Sequence, residues 1–255
     1  MKQCFAWWSF ANRGVTNSEL LRESKAIGYS GIELAPPNLF TQIVDSGFEI
    51  VTHNGHESIE SGLNDKSNHN RIEAEIDKNL GLAAKFGIKN LVVFSGLRTG
   101  KIDDDLGLEN TITGLRRLAP LAESAGVTLL VEILNSRVDH PGYQCDSTSW
   151  AAAAIGGADS GNVKILYDIY HAQVMEGDII RTIRCCSSMI GHFHTAGCPG
   201  RHEIDQYQEI YYPAVFRAIN EIGYEGYVGH EFIPTISPRY GLITAYEAVI
   251  ASASA

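Results

Sequence analysis

Four side chains able to bind a divalent metal occupy equivalent places in this sequence. Glu132, Asp168, His194 and Glu231 each close a short apolar run: VTLLVE (127–132), VKILYD (163–168), IGHFH (190–194) and YVGHE (227–231). Beyond each run the chain turns to Gly, Pro, Asn or His-rich sequence, so strand after strand delivers one ligand-competent group to the same edge of a sheet. Three carboxylates buried side by side repel one another, and without a counter-charge at least one of them stays protonated. A divalent cation removes that cost. Three carboxylates and one imidazole form a mostly hard, oxygen-rich donor set. It suits one Mn²⁺ or Mg²⁺ ion, with Co²⁺ or Zn²⁺ as substitutes, better than it suits a thiolate-rich structural zinc site.

The elements that must carry these residues repeat along the chain. In ESKAIGYSGIEL, AAKFGIKNLVVF, AESAGVTLLVEI and INEIGYEGYVGHE a helical stretch ends at a glycine and an apolar strand begins within a few residues. Gly28, Gly87, Gly126 and Gly223 can adopt the left-handed conformation that closes a helix, and Gly47 before FEIVTH is expected to do the same. Ile72, Ile76, Leu80 and Ala83 share one helical face, as do Ile112, Leu115, Ala119 and Ala122. The strands between read as continuous apolar runs, the pattern of parallel strands buried on both sides. Strands are expected at roughly residues 3–9, 31–35, 48–53, 90–94, 127–132, 163–168, 190–194 and 227–231, each followed by a helix. Eight such units predict an α/β fold of the closed (β/α)8 TIM-barrel type, a single domain over residues 1–255. An open doubly wound sheet has the same alternation, but its GxGxxG turn after the first strand is missing.

Composition narrows the partners. A net charge of −10 and the lack of any Lys/Arg block argue against nucleic acid or an anionic membrane surface. The first residues, MKQCFAWWSFANRG, lack the apolar core and small-residue cleavage site of a leader, and no run of eighteen apolar residues occurs, so a soluble, cytoplasmic protein is expected. The five cysteines form no CxxC pair and are odd in number, which points to reduced packing thiols. The expected partner is a small molecule; a homo-oligomer is compatible with the chain.

The stretches VEILNSRVDHPGY, YDIYHAQVMEGD, HFHTAGCPGRHEID and GYVGHEFIP resemble the hydroxypyruvate isomerase family of xylose isomerase-like TIM barrels, which also includes ketose epimerases. The resemblance runs from about residue 80 onward and is most specific in GCPGRHEID and YHAQVMEGD. It implies that Glu132, Asp168, His194 and Glu231 hold the metal and that Glu132 and Glu231 move the proton. Hydroxypyruvate isomerases usually carry Gln where this chain has His194, and the sugar epimerases carry His. The reaction implied is proton removal beside a carbonyl through an enediolate. Return to the adjacent carbon is isomerisation, as between hydroxypyruvate and tartronate semialdehyde; return to the opposite face of the same carbon is epimerisation, as in a ketose 3-epimerase.

Other residues fall at the same rim. His171, three residues after Asp168, can hydrogen-bond a substrate oxygen, its alternative being a structural histidine. Arg201 in PGRHE suits a carboxylate or hydroxyls of the substrate, or else a surface ion pair with Glu203 or Asp205. Glu203 is either part of the substrate site or a loop brace. His53 and His56 follow strand three and are placed to touch substrate, Trp7 and Trp8 to form an apolar wall or core, and His192 and His230 either to point elsewhere or to brace the site. Two other functions share the barrel. An endonuclease IV-like DNA hydrolase needs more histidines and a basic groove, and in a non-catalytic sugar-binding barrel both glutamates are dispensable for binding.

Overall fold

The computed structural model describes residues 1–253. Its strands are β1 (Lys2–Ala6), β2 (Gly31–Glu33), β3 (Glu49–Ile50), β4 (Thr52–Asn54), β5 (Asn90–Val93), β6 (Thr128–Glu132), β7 (Val163–Asp168), β8 (Ile190–Thr195) and β9 (Tyr227–His230). All pair in parallel, in the order β3-β2-β1-β9-β8-β7-β6-β5-β4. The two ends of that order, β3 and β4, are halves of the single strand expected at 48–53, separated only by Val51. Val51 N–H donates to Ile32 O at 2.9 Å and Leu34 N–H donates to Thr52 O at 3.1 Å, so the ladder bends here and continues. A nearly closed barrel results.

The helices are α1 (Trp7–Phe10), α2 (Asn17–Ile27), α3 (Phe40–Asp45), α4 (His69–Phe86), α5 (Asp104–Ala125), α6 (Thr148–Ala158), α7 (Ile169–Met175), α8 (Ile179–Cys185), α9 (Tyr212–Glu221) and α10 (Pro238–Ala253). The first strand is shorter than expected because Trp7 and Trp8 begin a helical turn. The second stops at Glu33 because Leu34 takes a left-handed conformation, φ +51°. Gly87 (φ +74°) closes α4, its N–H returning to Ala83 O, which lets the chain turn straight into β5. Ile72, Ile76 and Ala83 of α4 and Leu115, Ala119 and Ala122 of α5 are buried against the sheet, while Ile112 is half-buried near Gly157 of α6. Strand residues such as Leu91, Val92 and Val93 are fully buried in succession, as a sheet covered on both sides requires. Among the described residues no helix is long and apolar enough to cross a membrane.

Candidate metal centre

Parallel pairing brings the C-terminal ends of all strands to one rim, and the register sets the ligands side by side. Asp168 lies opposite His194 in the β7–β8 ladder, Glu132 opposite Leu166, and Glu231 follows β9 with its N–H on Thr195 O at 3.0 Å. His194 Nδ1 is 3.2 Å from Glu231 Oε2, 3.6 Å from Glu132 Oε1 and 4.0 Å from Asp168 Oδ2. One donor atom from each of the four lies within 4.8 Å of the others, and all four residues are buried. Asp168 Oδ2 and His194 Nδ1 have no hydrogen-bond partner, although buried polar atoms ordinarily find one. Three carboxylate oxygens and one imidazole nitrogen, two of them orphaned and converging, fit a hard divalent cation.

Neighbouring groups aim this cluster. Asp168 Oδ1 accepts His171 N–H at 3.0 Å, capping α7 and leaving Oδ2 for the centre. His171 Nδ1 accepts Asn135 N–H at 3.1 Å, so its ring proton sits on Nε2, 3.7 Å from Asp168 Oδ2. Burial, then the nearby Arg201 charge, hold His171 well below its ordinary range and therefore neutral. Trp8 Nε1–H donates to Glu231 Oε1 at 2.9 Å. Arg201, itself left-handed at φ +56°, places Nη2 2.5 Å from Glu231 Oε2 and 4.0 Å from Asp168 Oδ2. Its guanidinium also lies over the Trp8 and Tyr170 rings. Arg201 is thus paired inside the cluster, not with Glu203 or Asp205 on the surface.

These contacts divide the two glutamates. Burial, with Glu231 and Asp168 adding to it against the His194 contact, pushes Glu132 up to about 7. Glu231 is buried too, yet Arg201 and His194 hold it down at about 2, with the Trp8 hydrogen bond helping. Asp168 is pushed by burial up to about 6, against the pull of Arg201 and His194.

The cluster floors a cavity of about 400 Å³ lined by Trp8, Leu34, Asn54, Ile59, Phe94, Glu132, Leu134, His140, Arg201 and Glu231. Trp8, Leu34 and Asn54 also border an adjoining hollow of about 610 Å³ that includes His53, His56 and Lys78. Another cleft of about 610 Å³, beside α9 and α10, contains none of the clustered ligands. The remaining expected site residues are dispersed. His56 is buried at the adjoining hollow, with Nε2 accepting Phe94 N–H at 2.9 Å. Glu203 faces away from the cluster; it accepts Thr235 N–H at 2.8 Å and Thr235 Oγ1–H at 2.9 Å, the geometry of a loop brace. Trp7 is core at 4% exposure, whereas Trp8 is 42% exposed at the cavity. His230 turns away from the ligands, bonded to Thr195 and Gln3. Sequence reasoning passed over His140, Asn135 and above all Glu33. The only signal for Glu33 was a charge inside the apolar run GIEL.

Residues 21–245 match the xylose isomerase-like TIM barrel family. The chain belongs to that family. Within it, 2-oxo-tetronate isomerase from Cupriavidus necator is 32% identical over 167 residues, 66% of this chain and 64% of that protein. The alignment thus spans somewhat less than two thirds of that relative. A putative hydroxypyruvate isomerase from Drosophila melanogaster is 24% identical over 246 residues, covering 91% of this chain and 92% of the fly protein. Among solved structures of this barrel type, an AP endonuclease of family 2 from Brucella melitensis superposes with a TM-score of 0.86 and 27% identity, covering 95% of this chain and 97% of that one.

Proposed function

We propose that this protein is a metal-dependent isomerase of a small hydroxy-carbonyl compound, an oxo-acid of the hydroxypyruvate or 2-oxo-tetronate kind. The observation that carries the reading is the convergence of Glu132, Asp168, His194 and Glu231 on one point at the floor of a cavity, with the two glutamates in opposed environments. The names of the C. necator and D. melanogaster relatives support the substrate class. A cavity of about 400 Å³ admits a substrate of a few carbons, and a charge of −10 gives no attraction to a polynucleotide, so the likeness to the Brucella protein is taken as shared architecture.

Glu132, Asp168, His194 and Glu231 would hold the ion. When bound, a divalent cation supplies positive charge that stabilises an enediolate. The chain's own groups do the rest. Glu132 and Glu231, both on the cavity floor, are the pair that takes the proton from the carbon beside the carbonyl and returns it, with Glu231 oriented by Arg201 and Trp8. His171 Nε2–H, unpartnered and 3.7 Å from Asp168 Oδ2, would hold a substrate oxygen. Arg201 offers its guanidinium to a substrate carboxylate, while the Trp8, Ile59, Phe94 and Leu134 walls limit water around the enediolate.

A ketose 3-epimerase is the second reading, favoured by His194 and by the adjoining hollow, where Asn54 and His53 suit the hydroxyls of a longer chain. Incubation with hydroxypyruvate, a 2-oxo-tetronate and C5–C6 ketoses in the presence of Mg²⁺, with products identified by NMR, separates the two. Faster turnover of an oxo-acid than of any ketose is expected. Turnover confined to ketoses, with inversion at one carbon, refutes the first reading.

A further inference from the structure

Beneath the four strand-end ligands lies a buried carboxylate that the proposed reaction does not use. Glu33, the last residue of β2, is fully buried. Its Oε2 accepts Thr52 Oγ1–H at 3.1 Å and contacts His192 Nε2 at 2.8 Å. Its Oε1 accepts Cys4 Sγ–H at 3.4 Å and lies 3.3 Å from His194 Nε2. One carboxylate therefore touches both interior histidines of β8, at positions two apart and hence on one face of the strand.

The two ring nitrogens of His194 have different surroundings. Nδ1 faces the three ligand carboxylates, and Nε2 faces Glu33. A histidine that presents its lone pair at Nδ1 must carry its proton on Nε2, and a buried N–H needs an acceptor. Glu33 Oε1 stands within reach of it. The contact lies off the N–H axis, so it acts through charge and dipole, not as an in-line hydrogen bond.

Gly229 supplies an independent observation. It lies opposite His194 in the β8–β9 ladder, and a Cβ there would fall 1.8 Å from Glu33 Oε1 and 3.0 Å from His194 Cδ2. The glycine leaves the space in which Glu33 and His194 meet. A simple barrel-floor pair of Glu33 with His192 engages Oε2 and explains neither the approach of Oε1 to His194 nor the bare backbone at 229.

We infer that Glu33 is a positioning residue of the metal centre: it fixes the ring plane of His194 and the Nε2-protonated form that frees Nδ1, and its charge makes that nitrogen a stronger donor. This rests on reading the four strand-end residues as a divalent-metal site. Carboxylates that orient a ligating histidine typically matter about 10–100-fold for metal affinity.

The test is calorimetric titration of Mn²⁺ into metal-stripped wild type, Glu33→Gln and Gly229→Ala at pH 7.5, with circular dichroism for the fold and the Co²⁺ absorption spectrum as a report on ligand geometry. Both variants should bind Mn²⁺ about 10–100-fold more weakly and show an altered Co²⁺ band, with the fold kept. Thr52→Val, which removes one support of the same carboxylate, should shift both readouts in the same direction and serves if either variant does not fold. Wild-type affinity and an unchanged Co²⁺ spectrum in folded variants overturn the positioning role and leave the metal site standing. Absence of Mn²⁺ binding in wild type itself overturns the metal site, and this role with it.

Discussion

Replacing Arg201 by Met removes the one guanidinium inside the carboxylate cluster and keeps most of the apolar stem that packs against Trp8 and Tyr170. The charge sits 2.5 Å from Glu231 Oε2 and 4.0 Å from Asp168 Oδ2 at 13% side-chain exposure, so solvent screens it little. At about 4 Å and an effective dielectric near 20 a pair of unit charges attracts by about 4 kcal/mol. Breaking a buried pair from one side costs roughly 3–5 kcal/mol. Glu231 retains the Trp8 hydrogen bond and its His194 contact and can take up a proton, which places the expected loss for metal-stripped protein at about 2–4 kcal/mol at pH 7.5. Arg201 lowers Glu231 below its ordinary 4.5, so its stabilisation is complete above that value and disappears only as the pH falls toward about 2. A bound divalent ion compensates the same carboxylates, so the loss should shrink when Mg²⁺ or Mn²⁺ is present. Urea denaturation of both proteins, with and without metal, measures this directly. A loss below about 0.5 kcal/mol, the scale of a surface pair, or an equal loss with and without metal, refutes the reasoning.

Three further outcomes follow from the same geometry. Chelation should abolish activity and Mn²⁺, Mg²⁺ or Co²⁺ should restore it; full turnover in a preparation shown by elemental analysis to be metal-free would contradict the site. Trp8→Phe keeps the ring but deletes the N–H that holds Glu231 Oε1, and should lower kcat/KM by roughly tenfold, about 1.5 kcal/mol, the lower end for a hydrogen bond to a charge because Trp8 is 42% exposed. His56 is lowered from 6.5 to about 4, first by burial, and protonating it sets a second hydrogen against the Phe94 N–H; its contribution to stability is present above pH 6.5 and lost as the pH falls toward 4. Denaturant midpoints should therefore show wild type losing about 2 kcal/mol more than His56→Gln between pH 7.5 and pH 5, and parallel curves would count against a neutral buried ring.

The parts of this molecule legible in the sequence are those written in local pattern. Runs such as VTLLVE and VKILYD end on the residue that reaches the rim because a parallel strand, a turn and a helix each leave their own composition signal. The parallel order then brings 132, 168, 194 and 231 together. What escaped depends on distant contacts. Glu33 meets His192 across 159 positions and Arg201 meets Glu231 across 30, and nothing within GIEL or PGRHE distinguishes an interior carboxylate from a rim one, or a cluster cation from a surface pair. The division between Trp7 and Trp8 was hidden for another reason. Their sequence reads as strand, but the chain begins α1 there and turns one ring into the core and the other toward Glu231. Glu203 looked like a site residue because its neighbours do, yet its oxygens are held by Thr235 across the loop.

The central claim is that Glu132 and Glu231 move a carbon-bound proton in a cavity whose floor holds one divalent ion. Its most direct test is solvent deuterium entry into substrate and product in D₂O, compared by NMR for wild type, Glu132→Gln and Glu231→Gln loaded to equal metal content. The account predicts deuterium at the carbon beside the carbonyl for wild type, and a fall of about a hundredfold or more in that exchange for each folded variant. Exchange at the wild-type rate in either variant removes that glutamate from the proton path and contradicts the account.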